Sequence, residues 1–321
     1  MRAITQHRYG GTETLQLTEI DTPTPGPGEV LVRVRAAGVD RGTWHLMAGR
    51  PYAVRLAFGL RRPKLPVVGR DVAGVVDRVG DGVTSFAIGD EVIGTADGSY
   101  ADFAVVPVTR LALKPTSLSF EEAATLPISG GTALQAVRRA GVEAGDRVLV
   151  IGASGGVGSY AVQVAAALGA EVTGVASGAK ADLVRSLGAT DVIDHTREEI
   201  DASGRRWDVI IDLAGRRPLS LLRRCLAPGG TLVVAGGEGG DRWLGGTHRQ
   251  LGAMALSPFV RQRLTSLLSK ETTADFATLA DMADRGELRP VLERTYALEE
   301  AAKAIDHLVE GHVRGKIVVV P

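Results

Sequence analysis

The residues best suited to chemistry in this sequence form a short glycine turn, Ala153-Ser154-Gly155-Gly156-Val157-Gly158. That spacing suits the pyrophosphate of a dinucleotide. Gly155 lets backbone approach the phosphates, and Gly158 lets the next helix lie close on the strand before it. Free amides at the helix start then face negative charge, which the helix dipole also favours. Ser154, Gly155, Gly156 and Val157 are the expected contacts. In an NAD-binding chain an acidic residue would follow about twenty positions on, to take the ribose hydroxyls. Here that stretch reads Gly174-Val175-Ala176-Ser177-Gly178-Ala179-Lys180, with no carboxylate at Ala176 or Ser177. Ser177 can donate to a 2′-phosphate and Lys180 can supply charge, so NADPH is the expected nucleotide. An ordinary lysine at a helix start is the other reading of Lys180. His195 is a possible secondary contact. Leu213 and Gly236 stand in two further turns that follow apolar runs, where such a fold binds its ligand.

These residues need a sheet to hold them. Residues 147–151 are almost wholly apolar, as a strand buried on both faces should be. After the turn, Val157, Ala161, Val164, Ala165 and Leu168 fall at helical spacing until Gly169. Strand, glycine turn and helix in succession give the fingerprint its meaning; a plain βα turn of small residues is the alternative. Further strands are expected at 171–176, 191–193, 208–211 and, after the Pro228-Gly229-Gly230 turn, 231–235. Helices are expected at 132–140 and 179–187, and Ser119 with Glu122 opens another as a capping box. Such alternation predicts a doubly wound parallel sheet.

The chain before Ser119 has a different style. Residues 29–35 alternate apolar and polar, and 72–79, 89–94 and 100–106 continue as short strands between glycine turns. They predict a compact β-rich barrel or sandwich. Residues 50–64 lack strand alternation and read as a surface helix pinned by an apolar face, or a flap. The last strand, 316–320, is expected to return to the first domain. The expected division is 1–120 with 290–321 as one domain and 121–289 as the other.

With 321 residues, 45% of them hydrophobic, and a formal net charge of zero, the chain can fill two cores and has no basic surface for nucleic acid. No apolar run reaches the length of a membrane span, and the first residues lack a signal-peptide core. The single cysteine, Cys225, excludes an internal disulfide and makes the cytoplasm the expected setting. It also excludes any zinc site that needs several thiolates.

Taken together, several stretches resemble the medium-chain dehydrogenase/reductase superfamily. They are GlyGluValLeuValArgVal, ValGlyArgAspValAlaGlyValValAspArgValGly, GlyAspGluValIleGly, AlaSerGlyGlyValGly and the closing ArgGlyLysIleValVal. The resemblance runs through nearly the whole chain. It implies an α/β architecture of a GroES-like β-rich catalytic domain and a Rossmann domain, hydride transfer with a nicotinamide nucleotide, and commonly a homodimer joined through the Rossmann sheets, which 231–235 could extend. It also implies a substrate cleft, whose shape would depend on 50–64 and 238–258. Zinc members carry a cysteine where this chain has Asp40, and a GlyHisGlu motif where it has Gly69-Arg70-Asp71. Asp40, His45 and Asp71 could in principle ligate zinc, but Arg70 would oppose a dication. The resemblance therefore narrows to the zinc-free quinone oxidoreductase-like branch. By family position Asp40, Trp44 and His45 would line the substrate side, and Thr132 the nicotinamide side. A structural histidine and a helix-capping threonine are the competing readings of His45 and Thr132.

Without a metal to polarise a simple ketone, quinones and α,β-unsaturated carbonyls are the easier hydride acceptors. An NADPH-dependent reductase of such small molecules is thus expected. An NAD(P)-dependent alcohol dehydrogenase and a non-catalytic nucleotide-binding protein remain the alternatives.

Overall fold

The computed structural model describes residues 1–237 and 242–321, so the stretch 238–258 lies partly outside the described residues. Strands β1 (Arg2–Thr5) and β2 (Gln16–Glu19) pair with each other. β3 (Glu29–Val39) extends the alternation read at 29–35: Val30, Val32 and Val34 are buried, Arg33 and Arg35 exposed. It pairs antiparallel with β4 (Asp71–Val79), and β4 with β5 (Glu91–Thr95). β6 (Phe103–Pro107) joins the other side of β3, and β7 (Leu111–Leu113) joins β5.

Helix α1 (Arg41–Ala48) leaves the end of β3. Residues 50–64 hold a 3-10 turn and the single-turn α2 (Arg55–Phe58). No apolar face pins them: Leu56 and Leu60 are exposed. Instead the Arg55 guanidinium sits 4.5 Å and 4.7 Å from the ring centres of Tyr9 and Tyr52, and its Nε donates to the Gly49 carbonyl. The capping box forms as expected, with Ser119 and Glu122 reciprocally bonded at the start of α3 (Phe120–Ala123).

Helix α4 (Pro127–Ala140) starts earlier than expected. Proline suits a first helical position, and the amide of Ile128 is taken by the Asp71 carboxylate at 2.7 Å, a cap from a distant strand. Thr132 therefore lies inside the helix rather than at its cap. A Cβ on Gly130 would meet the Leu279 side chain at 3.1 Å, a tight contact that Leu279 would have to give way to.

The second unit carries β8 (Arg147–Ile151), β9 (Glu171–Ala176), β10 (Asp191–Asp194), β11 (Trp207–Asp212), β12 (Leu226–Val234) and β13 (Arg263–Ser266) in one parallel sheet of order β10-β9-β8-β11-β12-β13. Helices α5 (Gly156–Ala167), α6 (Ala181–Ser186), α7 (Leu219–Cys225) and α8 (Thr247–Leu256) connect its strands. Two readings change here. β12 runs through Pro228-Gly229-Gly230, with a slip in register between its pairings at Leu226 and Thr231. β13, too short to stand out in sequence, covers its outer side, so 231–235 is an inner strand and cannot extend the sheet.

The chain then returns through α9 (Thr273–Asp284), β14 (Leu292–Ala297), α10 (Ala301–Glu310) and β15 (Lys316–Val320), which pairs antiparallel with β3 as the final strand of the first unit's sheet. The compact units are 1–131 with 270–321, and 132–269. Their borders lie inward of the expected ones at both junctions. α9 packs on β5 and β7, Thr273 donates to the Val108 carbonyl, and the Asp284 carboxylate accepts from the Thr116 and Ser117 amides. Among the described residues no helix is long and apolar enough to cross a membrane.

The first unit holds a sealed ion pair. Asp71 Oδ2 lies 3.3 Å from Lys316 Nζ, and both side chains are buried. Burial pushes the Asp71 carboxyl up to about 7, against the pull of Lys316 and with added repulsion from Asp40. Unfolded, the carboxyl releases its proton near ~4. The stabilisation is thus complete below that value and is lost as pH rises through about 7. Urea midpoints of the native protein should fall from pH 5 to pH 8 relative to those of Asp71→Asn; a difference that stays flat over this range would contradict the buried proton.

Candidate functional site

In the second unit the predicted cofactor residues gather at the carboxyl edge of the sheet. β8 ends at Ile151 and the chain turns at Gly152, whose φ of +88° only glycine adopts freely. Gly152 thus makes the tight turn one position before the Ala153-to-Gly158 stretch, and Ala153 is buried. The helix packs onto the turn so closely that a Cβ on Gly158 would sit 2.0 Å from the Gly152 carbonyl oxygen. Gly155 is the N-cap of α5 and no side chain caps it. The first amides of α5 have no intrahelical acceptor and are left for an anion. Gly155, Gly156 and Val157 are half-buried beside them, and Ser154 is buried.

β9 ends at Ala176, and Ser177 opens the 3-10 turn Gly178–Lys180. Ser177 and Lys180 are half-buried, and His195, just past β10, is exposed with its amide on the Ala176 carbonyl. The structure adds a residue that the pattern missed. Asp194 ends β10 beside this turn, and a Cβ on Gly178 would lie 2.5 Å from its Oδ2. Hydrogen bonds from Thr196 hold its carboxyl below the ordinary value. A carboxylate therefore does lie beside the turn at Ser177, from the neighbouring strand rather than from the end of β9.

Leu213 and Gly236 are brought together. The Gly236 amide donates to the Asp212 carbonyl, and a Cβ on Gly236 would sit 2.2 Å from the Leu213 carbonyl oxygen. The fully buried Asp212 organises both turns. Its Oδ1 accepts from the Gly215 amide at 3.0 Å, and its Oδ2 from Arg249 Nη2 at 2.6 Å. Arg249 comes from α8, thirty-seven positions along the chain, so no local motif announces it. Thr132 stands on α4 with its hydroxyl donating to Ser269 Oγ at 3.2 Å.

In the first unit Asp40, Trp44 and His45 share the start of α1. Asp40 is the helix N-cap: it accepts from the Thr43 amide at 2.9 Å and the Thr43 hydroxyl at 3.0 Å. Its buried carboxylate is thus committed to the helix. Trp44 packs against the β-rich core, with the His45 ring edge-on at 4.9 Å between centroids. His45 Nδ1 lies 2.8 Å from the Arg50 carbonyl. A carbonyl only accepts, so Nδ1 donates its proton there.

The zinc-ligand positions of the resemblance do not assemble a metal site. Both oxygens of Asp40 are engaged by Thr43, and those of Asp71 by Ile128 and Lys316. Arg70 Nη2 donates to both Glu271 oxygens, at 2.8 Å and 2.7 Å. Among the described residues no three His, Cys, Asp or Glu side chains are grouped to hold an ion.

Residues 26–116 match the family model of the alcohol dehydrogenase GroES-like domain, and residues 187–319 that of zinc-binding dehydrogenase. The chain is 32% identical to the chloroplastic quinone-oxidoreductase QR1 of Triphysaria versicolor, over 100% of this chain and 98% of that protein. It is 32% identical to an NAD-dependent alcohol dehydrogenase of Saccharolobus solfataricus, over the full length of both. The solved quinone oxidoreductase from Coxiella burnetii superposes with a TM-score of 0.87 at 28% identity, covering 100% of this chain and 99% of that one. With its GroES-like unit, its parallel nucleotide-binding sheet and its glycine turn, the chain belongs to the nicotinamide-dependent oxidoreductases of the medium-chain dehydrogenase/reductase superfamily, quinone oxidoreductase-like group.

Proposed function

We propose that this oxidoreductase reduces quinones or α,β-unsaturated carbonyl compounds with NADPH and without zinc. The observation that carries the reading is the engagement of the zinc-ligand positions: Asp40 caps α1 and Arg70 is paired with Glu271. When bound, the nicotinamide supplies a hydride. The chain's own residues bind and orient: the α5 amides take the pyrophosphate, and the turns at Leu213 and Gly236 flank the dinucleotide. Thr132 faces its nicotinamide end, Asp40 positions Trp44 and His45, and these two rings line the acceptor's side. His45 is the side chain proposed to exchange a proton with the reduced acceptor. A dialysed, metal-free preparation should keep its full quinone turnover. Activity lost to a chelator and restored by stoichiometric zinc would overturn this reading.

For the nucleotide, Ser177 and Lys180 support NADPH. One observation favours a second reading, alcohol oxidation with NAD: the Asp194 carboxylate beside the same turn. Lys180→Ala should weaken NADPH binding about tenfold and leave NADH nearly unchanged. Asp194→Asn should tighten NADPH relative to NADH. Fluorescence titration of both nucleotides checks both effects, and an unchanged NADPH affinity in each variant would favour the NAD reading.

We also propose a homodimer that forms through β13, the outer strand of the sheet, in a cytoplasmic setting. Phe259 and Leu268, 84% and 91% exposed, flank that strand, and large exposed apolar groups beside an unpaired edge favour association. Light scattering should give the mass of two chains, and Phe259→Asp with Leu268→Asp should move it toward one.

A further inference from the structure

Between Asp40 and Asp71 the chain carries seven arginines or lysines and no carboxylate side chain, although the whole sequence balances 37 of each sign. Much of that charge stands on one loop of the first unit, 50–66. Arg50, Arg61, Arg62 and Lys64 are exposed there, and among the described residues no carboxylate pairs with any of them. Asp97, which lines a recess together with Lys64, is itself paired with Arg110 at 3.3 Å. The loop therefore presents uncompensated positive charge.

Apolar side chains share the same loop. Leu56 and Leu60 are 76% and 67% exposed, and Phe58 and Leu65 are exposed as well. Large apolar groups gathered in the open mark a contact surface. The backbone beneath them is fixed. The Phe58 carbonyl accepts from the Lys64 amide at 2.9 Å, closing 58–64 on itself, and Lys64 Nζ donates to the Ala57 carbonyl at 2.9 Å. The Tyr9 hydroxyl donates to the Gly59 carbonyl at 2.6 Å. A Cβ on Gly59 would sit 2.1 Å from the Arg62 carbonyl oxygen, so the loop is as tight as its backbone allows.

Leucines set among unpaired cations have the chemistry of a segment that lies on a membrane. Apolar groups enter the acyl boundary while the cations meet lipid phosphates. An acidic protein would also match the charge, but a stable protein contact takes about 20–30 residues a side. Here nine of the eleven residues 56–66 are exposed, a patch of one loop.

We propose that loop 50–66 docks this protein reversibly on an anionic phospholipid surface. Leu56 and Leu60 enter the acyl boundary, and Arg61 and Arg62 meet headgroup phosphates. The contact lies on the membrane and spans nothing; among the described residues no helix is long and apolar enough to cross one. It is independent of the substrate and nucleotide proposed above.

The test sediments the full-length protein with phosphatidylcholine vesicles, with and without about one-third phosphatidylglycerol. Binding should be about tenfold or more tighter on the anionic vesicles and should fall steeply as salt rises. Arg61→Gln with Arg62→Gln should weaken it about tenfold or more. Leu56→Ser with Leu60→Ser should do the same, and both double variants should keep the native melting temperature. Leu60→Cys carrying an environment-sensitive fluorophore, with Cys225 buried away from the label, should shift to the blue on anionic vesicles alone. No sedimentation with anionic vesicles, equal binding to both vesicle types, or native binding by either double variant overturns the proposal. Tighter binding to soluble polyglutamate than to the vesicles overturns it in favour of an acidic protein.

Discussion

The carboxylate of Asp71 joins parts of the first unit that the sequence keeps far apart. It belongs to β4, takes the first-turn amide of α4, and faces the ammonium of Lys316 on the last strand. A carboxyl this deep is costly unless its oxygens are bonded, and here both are. The same residue fixes the backbone on which Arg70 is carried, one position before it. Tyr100, fully buried nearby and hydrogen-bonded to the Gly38 carbonyl, is pushed well above the ordinary tyrosine range by burial and by Asp40 and Asp71. It stays a neutral phenol within the buried core.

The second unit solves a related problem with backbone. Its carboxyl edge holds several turns at close quarters: glycine at 158 and 236 lets backbone meet where a side chain would collide, and Gly152 takes a positive φ. Asp212 with Arg249 then fixes two of these turns from below. The result is a closely packed edge with the start of α5 in its midst, an arrangement suited to a phosphate chain.

Most of this was legible from local pattern. β8 and β15 coincide with the apolar runs read at 147–151 and 316–320, because buried strands declare themselves by composition. The glycine turn declared itself by its strand and helix. What was missed was non-local. The cap of α4 comes from Asp71, the partner of Asp212 comes from α8, and the carboxylate near Ser177 comes from the next strand. None of these lies within the span over which hydrophobic periodicity or turn chemistry operates. β13 was missed for another reason: four residues of mixed character carry too little pattern to be read.

The pairing of Arg70 with Glu271 bears on how readily sequences of this kind can change. A histidine at position 70 would remove the guanidinium that Glu271 pairs with, and a cysteine at position 40 would remove the cap of α1. Each step toward a metal-ligating set thus damages the fold before the set is complete. Single substitutions met one at a time lead through weakened intermediates, so this side-chain arrangement is an evolutionary trap that only concerted replacement escapes.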